Sequence, residues 1–232
     1  MLMSPQNLPA ALAAVSERVA RAAHAAGRSA QSVTLLAVGK AQPAALLAAA
    51  ADCGVTQFGE SYLQEALEKI AALQDRPLTW HFIGRVQSNK TRPVAEHFAW
   101  VHAVDRLKIA ERLSAQRPFH APPLNVCLQV NVAGEASKGG VSPAELPALA
   151  QAVARLPRLA LRGLMCIPPE ETDPVRQRGW FAQVRTLQEQ LNAGGCQLDT
   201  LSMGMSGDFE AAIQEGATLI RLGTILFGAR PA

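Results

Sequence analysis

The residue in this chain best placed for covalent chemistry is a lysine just past an apolar run. Lys40 stands two residues beyond the stretch 33–38 (VTLLAV). An amine at the carboxyl end of a buried strand is partly desolvated, which lowers its pKa and leaves neutral amine able to attack a carbonyl. A solvated lysine closing a strand would have the same local sequence. A second group is Arg221-Leu222-Gly223-Thr224. Gly223 lets backbone N–H groups approach an anion, Thr224 adds a hydroxyl, and the loop after strand eight of a barrel is a recurrent phosphate site. An ordinary strand-to-helix turn also fits. The third is Gly204-Met205-Ser206-Gly207-Asp208, where Ser206 either donates to a phosphate, caps the following helix, or leaves that cap to Asp208.

Other candidates carry less. The segment 134–140 (GEASKGG) looks like a phosphate loop but lacks a glycine directly before Lys138 at the required spacing, so it reads as a flexible loop. His81 and His102 lie in apolar strand contexts without a second ligand spaced to match, so they read as core histidines, or histidines supporting a site from behind, rather than metal ligands. Cys53, Cys127, Cys166 and Cys196 are far apart with no C-x-x-C pair. That excludes the usual zinc and disulfide frameworks and predicts mostly buried thiols in a reducing compartment. No G-x-S-x-G elbow, H-E-x-x-H or kinase set occurs.

Positioning these groups requires a scaffold, and the hydrophobic pattern supplies one. A helix over 8–26, ended by Gly27, precedes an alternation of apolar runs and amphipathic stretches. Strands are predicted at 33–38, 57–59, 80–84, 100–104, 126–132, 159–167, 198–203 and 219–222. Helices are predicted at 43–53, 61–73, 89–97, 105–116, 143–156, 175–193 and 208–215. Eight strands alternating with helices predict an α/β fold, a single (β/α)8 barrel over residues 1–232 with an extra N-terminal helix. An open doubly wound sheet has the same local pattern and is the alternative. In a barrel, Lys40, Ser206 and the Arg221–Thr224 group would all lie at the carboxyl ends of strands, where barrel sites are built.

The bulk properties narrow the function classes. The chain has 232 residues and a formal charge of +3, and its basic residues are dispersed. A nucleic-acid groove would show a concentrated basic stripe, so no nucleic-acid partner is expected. The N-terminus lacks a basic region ahead of its apolar part, and no apolar run approaches the ~20 residues that cross a bilayer. A cytoplasmic protein without membrane contact is expected.

Seven stretches, in order, then resemble one family. They are LLAVGK ending in Lys40, FGESYLQE (58–65), WHFIGRVQSNK (80–90), QVNVAGEASKGG (129–140), LRGLMCIPP (161–169), LSMGMSGDFEAAI (201–213) and IRLGTILFGAR (220–230). The chain resembles the pyridoxal phosphate homeostasis protein family, related in fold to the N-terminal barrel of alanine racemase. The resemblance implies pyridoxal 5'-phosphate (PLP) as cofactor, held as a Schiff base on Lys40. It implies that Ser206, Gly223 and Thr224 hold the phosphate and that Arg221 faces the pyridine nitrogen. It implies binding, storage or delivery of PLP in vitamin B6 and amino-acid balance, with no catalysed reaction. Gly39, Ser61 and Cys166 depart from the family, which has serine, asparagine and a small or hydroxylated residue there.

Two arguments favour a carrier over an enzyme. Many PLP enzymes set a carboxylate against the pyridine nitrogen to keep it protonated, whereas arginine can only donate a hydrogen bond there. A two-base racemase also needs a second domain, yet only Pro231 and Ala232 follow Arg230, and Tyr62 is the one tyrosine. The alternatives are a racemase-like enzyme, a Schiff-base lyase of the aldolase type, and a module that docks on apo PLP enzymes to deliver cofactor. A monomer is expected.

Overall fold

The computed structural model describes residues 7–135 and 138–228. Two stretches carrying the resemblance, 129–140 and 220–230, run into residues 136, 137, 229 and 230, which lie outside the described residues, as do Pro231 and Ala232.

The strands are β1 (Thr34–Val38), β2 (Gln57–Glu60), β3 (Thr79–Phe82), β4 (Trp100–Val104), β5 (Leu124–Gln129), β6 (Leu159–Met165), β7 (Thr200–Ser202) and β8 (Leu219–Leu222). They pair in parallel in chain order, and β8 returns to β1 from Thr34↔Leu219 to Ala37↔Leu222, closing the barrel. The helices are α1 (Leu8–Ala25), α2 (Ala44–Asp52), α3 (Leu63–Ala72), α4 (Thr91–His97), α5 (Leu107–Gln116), α6 (Leu146–Ala154), α7 (Pro174–Ala193), α8 (Phe209–Gln214) and α9 (Thr224–Phe227). The closed barrel replaces the open-sheet alternative.

Helix α1 buries Leu8, Val15, Val19, Ala22 and Ala23, one stripe at helical spacing, and packs on α8 and α9. Arg18 fixes it there with two 2.8 Å hydrogen bonds to Glu210. Gly27, at φ +67°, ends it in the left-handed conformation that glycine adopts without penalty.

The β6–β7 pair depends on one glycine. A Cβ on Gly163 would lie 1.7 Å from the carbonyl oxygen of Thr200, its partner in register. The β5–β6 register also shifts here: Val126 faces Leu161 and Cys127 faces Gly163, leaving Arg162 as the extra residue. A bulge of this kind re-aims a side chain. Arg162 reaches Asp199 at 2.5 Å and Asn125 at 3.0 Å, and stacks over Trp100.

Several expected boundaries move. Strand β5 begins two residues earlier than 126 and stops at Gln129, because Leu124 and Asn125 already pair with β6, and Val130, whose N–H still reaches the Met165 carbonyl, bridges Val141 instead of continuing the strand. Strand β7 is confined to Thr200–Ser202. Ser61 and Tyr62 precede α3 in non-helical backbone rather than opening it. Helix α9, after β8, was not among the expected elements. Only Cys127 and Cys166 are buried; Cys53 is exposed and Cys196 intermediate. Among the described residues, no helix is long and apolar enough to cross a membrane.

Candidate functional site

The carboxyl ends of the strands surround a cavity of about 390 Å³, within the usual range for small-molecule and cofactor sites. Lys40, Ser206, Arg221, Gly223 and Thr224 all line it, so the five expected residues come together from β1, the loop after β7, and β8 with its loop. Gln42, Ser61, Ile83, Ile167, Glu170 and Met205 line it too. Ser61, one of the departures from the family, therefore faces the cavity directly.

What fixes Lys40 is a buried charge cluster beneath its backbone. Lys69 Nζ donates to the Gly39 carbonyl at 2.7 Å, to Glu60 at 2.8 Å and to Glu65 at 2.5 Å. Glu65 accepts the Ala41 N–H at 2.6 Å. The residues on either side of Lys40 are thus tied to one cluster, and Ala41 is held at φ 59°, a conformation that is costly without glycine. Burial pushes the Glu60 carboxyl up to about 7, while its hydrogen bond to Lys69 and the charge of that ammonium oppose the rise. Gly39 sits against the same cluster: a Cβ there would lie 2.6 Å from Glu60 Oε1 and 2.8 Å from a Leu47 methyl. Sequence reasoning missed Glu60, Glu65 and Lys69. Both glutamates stand in the stretch FGESYLQE, but nothing local marks a lysine on a helix as buried.

The far wall is built from loops. Ser206 Oγ accepts the Ile225 N–H at 3.4 Å, linking the loop after β7 to the one after β8. Asp208 does not cap α8 with its side chain; it accepts the Met205 N–H at 2.5 Å and braces that loop instead. Burial pushes the Asp208 carboxyl up. A Cβ on Gly223 would meet Val38 only at ordinary contact distances of 3.4 and 3.5 Å, and one on Gly207 would meet nothing within 4 Å. The protein's own packing does not require glycine at either position, so their bareness keeps space open beside Ser206 and Thr224. Among the described residues of the segment 134–140, by contrast, none lines this cavity.

Arg221 is buried in the barrel interior, and burial lowers its pKa from the ordinary value. Its guanidinium donates to the Ser202 carbonyl at 2.5 Å and hydroxyl at 2.9 Å, and to the Cys166 carbonyl at 2.8 Å. Nε is not among the donors spent on these bonds. The Cys166 thiol is pushed up to about 12 by burial, so that residue serves through its backbone oxygen.

Behind Arg221 the barrel axis is polar. Ser202 Oγ lies 2.7 Å from His102 Nδ1, His102 Nε2 lies 2.9 Å from His81 Nδ1, and His81 Nε2 lies 2.7 Å from Gln57 Oε1. Burial pushes His81 down to about 3 and takes His102 well below its ordinary value. Both are core histidines, as expected. Gln57 and His81 open on a second, polar cavity of about 470 Å³ at the opposite mouth, the end of a barrel associated with stability rather than chemistry.

A cavity offering one lysine amine, three hydroxyls, bare glycines and a buried guanidinium matches an aldehyde-bearing, phosphorylated, nitrogen-containing ring. Known proteins agree with that chemistry. The family described as alanine racemase, N-terminal domain, matches residues 11–231. A pyridoxal phosphate homeostasis protein of Pseudomonas aeruginosa is 62% identical over 219 residues, 94% of each chain. One from Escherichia coli is 52% identical over 222 residues, 94% of this chain and 95% of its own. Among solved structures, PipY of Synechococcus elongatus with PLP bound superposes with a TM-score of 0.80 at 40% identity, covering 92% of this chain and 100% of that one.

Proposed function

The chain belongs to the alanine racemase N-terminal domain family and, within it, to the pyridoxal phosphate homeostasis proteins, and from that premise we propose that it carries PLP as a Schiff base on Lys40 and takes part in PLP homeostasis. The observation that carries this reading is the convergence of Lys40, Ser206, Arg221, Gly223 and Thr224 on one cavity. Bound PLP supplies an aldehyde for an amine and, in enzymes, an electron sink. Lys40 provides the amine on a backbone fixed by Lys69 and Glu65. Ser206, Thr224 and the bare backbone at Gly223 hold the phosphate, and Arg221 turns a donor toward the ring nitrogen.

The test is an absorption spectrum of the purified protein with PLP, beside Lys40→Ala. A visible band in the wild type, absent from the variant and trapped by borohydride on the Lys40 peptide, is the expected result. A wild type without a band under excess PLP refutes the assignment and brings the aldolase-type lyase forward. Phosphate recognition is checked separately. Ser206→Ala combined with Thr224→Val is expected to weaken PLP binding by roughly 100-fold, from about 1.5 kcal/mol per charge-assisted hydrogen bond. Pyridoxal without its phosphate should bind both proteins alike; an equal loss for both ligands would place the phosphate elsewhere.

The carrier is proposed to have negligible turnover. Arg221 supports this, because a guanidinium donates to the ring nitrogen and leaves it unprotonated, a poorer stabiliser of a carbanion. Amino-acid racemisation that is robust and lost in Lys40→Ala would overturn it. Delivery to apo PLP enzymes is favoured by one further feature. Of the five exposed large apolar side chains among the described residues, Tyr62, Leu107, Ile167 and Val175 stand on segments that follow the carboxyl ends of strands, on the face where the cavity opens. A cytoplasmic monomer is proposed as the working form, and light scattering of the PLP-loaded protein tests its mass.

A further inference from the structure

The buried chain behind Arg221 has a direction, and its Arg221 end sets it. A guanidinium has donors and no acceptor, so Ser202 Oγ accepts from Arg221. Its own hydroxyl hydrogen then goes to His102 Nδ1, 2.7 Å away. His102 therefore carries its proton on Nε2 and donates it to His81 Nδ1 across 2.9 Å. His81 in turn carries its proton on Nε2 and donates to Gln57 Oε1 at 2.7 Å. The opposite direction would leave the serine hydrogen without one of these acceptors and would require the Gln57 amide to turn so that its Nε2 faces His81.

We propose that Ser202, His102, His81 and Gln57 are positioning residues, a one-way series of donated hydrogen bonds that fixes the Arg221 guanidinium for the cofactor ring from the far mouth of the barrel. The proposal rests on the carrier reading, in which Arg221 meets the ring nitrogen. Each link is held by a different strand: Gln57 by β2, His81 by β3, His102 by β4, Ser202 by β7 and Arg221 by β8. His81 is also stacked on Trp100, ring centroids 5.4 Å apart at 9°, which limits ring rotation. His102 is entirely buried, so its ring is held by the barrel interior on every side. Both rings are neutral, in keeping with the depression of their pKa values by burial. The series polarises away from the fixed cation of Arg221, each donor strengthened by the one before it. With Ser202 and the Cys166 carbonyl holding the guanidinium plane on two sides, the donors left over have one orientation to offer.

Two measurements decide it. Long-range ¹H–¹⁵N correlation on the histidine-labelled protein without PLP should show both His81 and His102 as Nε2–H tautomers. Either ring appearing as Nδ1–H, or charged at pH 7, overturns the direction of the series. The second measurement uses Gln57, which lines the opposite cavity and not the one around Lys40. Gln57→Leu removes the final acceptor, and Gln57→Glu keeps one. In PLP-loaded protein, Q57L is expected to release PLP about fivefold faster, a modest coupling between distant sites, with a shifted visible band; Q57E should restore both. Wild-type protein that binds PLP beside an indistinguishable Q57L overturns the positioning role alone. Wild-type protein that binds no PLP overturns the carrier reading and the positioning role together.

Discussion

Lys69→Met is expected to lower folding stability by about 3 kcal/mol at pH 8, the lower end of the cost of breaking a buried ion pair, and by less at pH 6. At pH 8 that corresponds to roughly 10 °C in Tm for a chain of this size. The reason lies in three bonds from one ammonium: to the Gly39 carbonyl, Glu60 and Glu65. Methionine preserves the bulk and deletes all three. The pH dependence follows from Glu60, whose carboxyl burial has raised to about 7 from an ordinary 4.5. A group that holds its proton more tightly when folded stabilises most below the unfolded pKa, and that contribution is lost as pH rises through the folded one. Removing Lys69 removes the two largest influences that keep the Glu60 pKa down, leaving only the charge of Lys40, so in the variant this loss continues above 7. At pH 6 the Glu60 carboxyl is largely protonated in both proteins, and the variant loses the bonds to Gly39, Glu60 and Glu65 without the added cost at Glu60. Urea unfolding at the two pH values checks the result; a penalty that is equal at both, or larger at pH 6, refutes it. Because the cluster holds the backbone on both sides of Lys40, the variant should also bind PLP more weakly.

Gly163→Ala should prevent the barrel from forming, leaving the protein insoluble or destabilised by more than about 5 kcal/mol, the range of exceptional single substitutions. Its added methyl would stand 1.7 Å from the Thr200 carbonyl oxygen and 2.6 Å from the Thr200 carbonyl carbon. Both are backbone atoms of the paired strand, so no rotamer change relieves the overlap; β6 and β7 must part. The control is Gly179→Ala within α7, where nothing lies within 4 Å of the new methyl. Alanine there should stabilise the helix by about 0.5–1 kcal/mol. Thermal melts of the two variants should move in opposite directions. A Gly163→Ala protein melting within a few degrees of the wild type would mean that the strands are not packed this closely.

The barrel was legible in the sequence because parallel strands covered on both faces are short apolar runs punctuated by helix-forming stretches. Strands β4 and β8 are read there with their observed bounds; β3, β5, β6 and β7 are read too far where apolar residues continue past the last paired partner, and β2 is read one residue short because Glu60 is charged. In β5 the run to Val132 reads as strand, although Gln129 is the last residue to pair with β6. The cavity residues were legible by position and resemblance, since Lys40, Ser206 and the Arg221–Thr224 group follow strand ends. What supports them was not. Lys69 sits on an amphipathic helix and has the local sequence of a solvated lysine. Gln57, His81, His102 and Ser202 are brought into line by closure of the sheet, and His102 and Ser202 are far apart in the chain. Periodicity reports which face of an element is buried; it carries no information on which distant polar group meets it.

Closure also has a consequence for the order in which the protein acquires its site. Residues 34–38 and 219–222 form the seam of the barrel, and Lys40 lies on one side of it with Gly223 and Thr224 on the other. Synthesis produces the first side long before the second. A nascent chain on the ribosome therefore has the lysine but nothing to hold a phosphate, and it presents open edges at β1 and at the last strand made. The cavity comes into being with the joining of first strand to last. A ligand gripped from both banks would then act as a clasp, favouring the joined state by mass action in proportion to its supply.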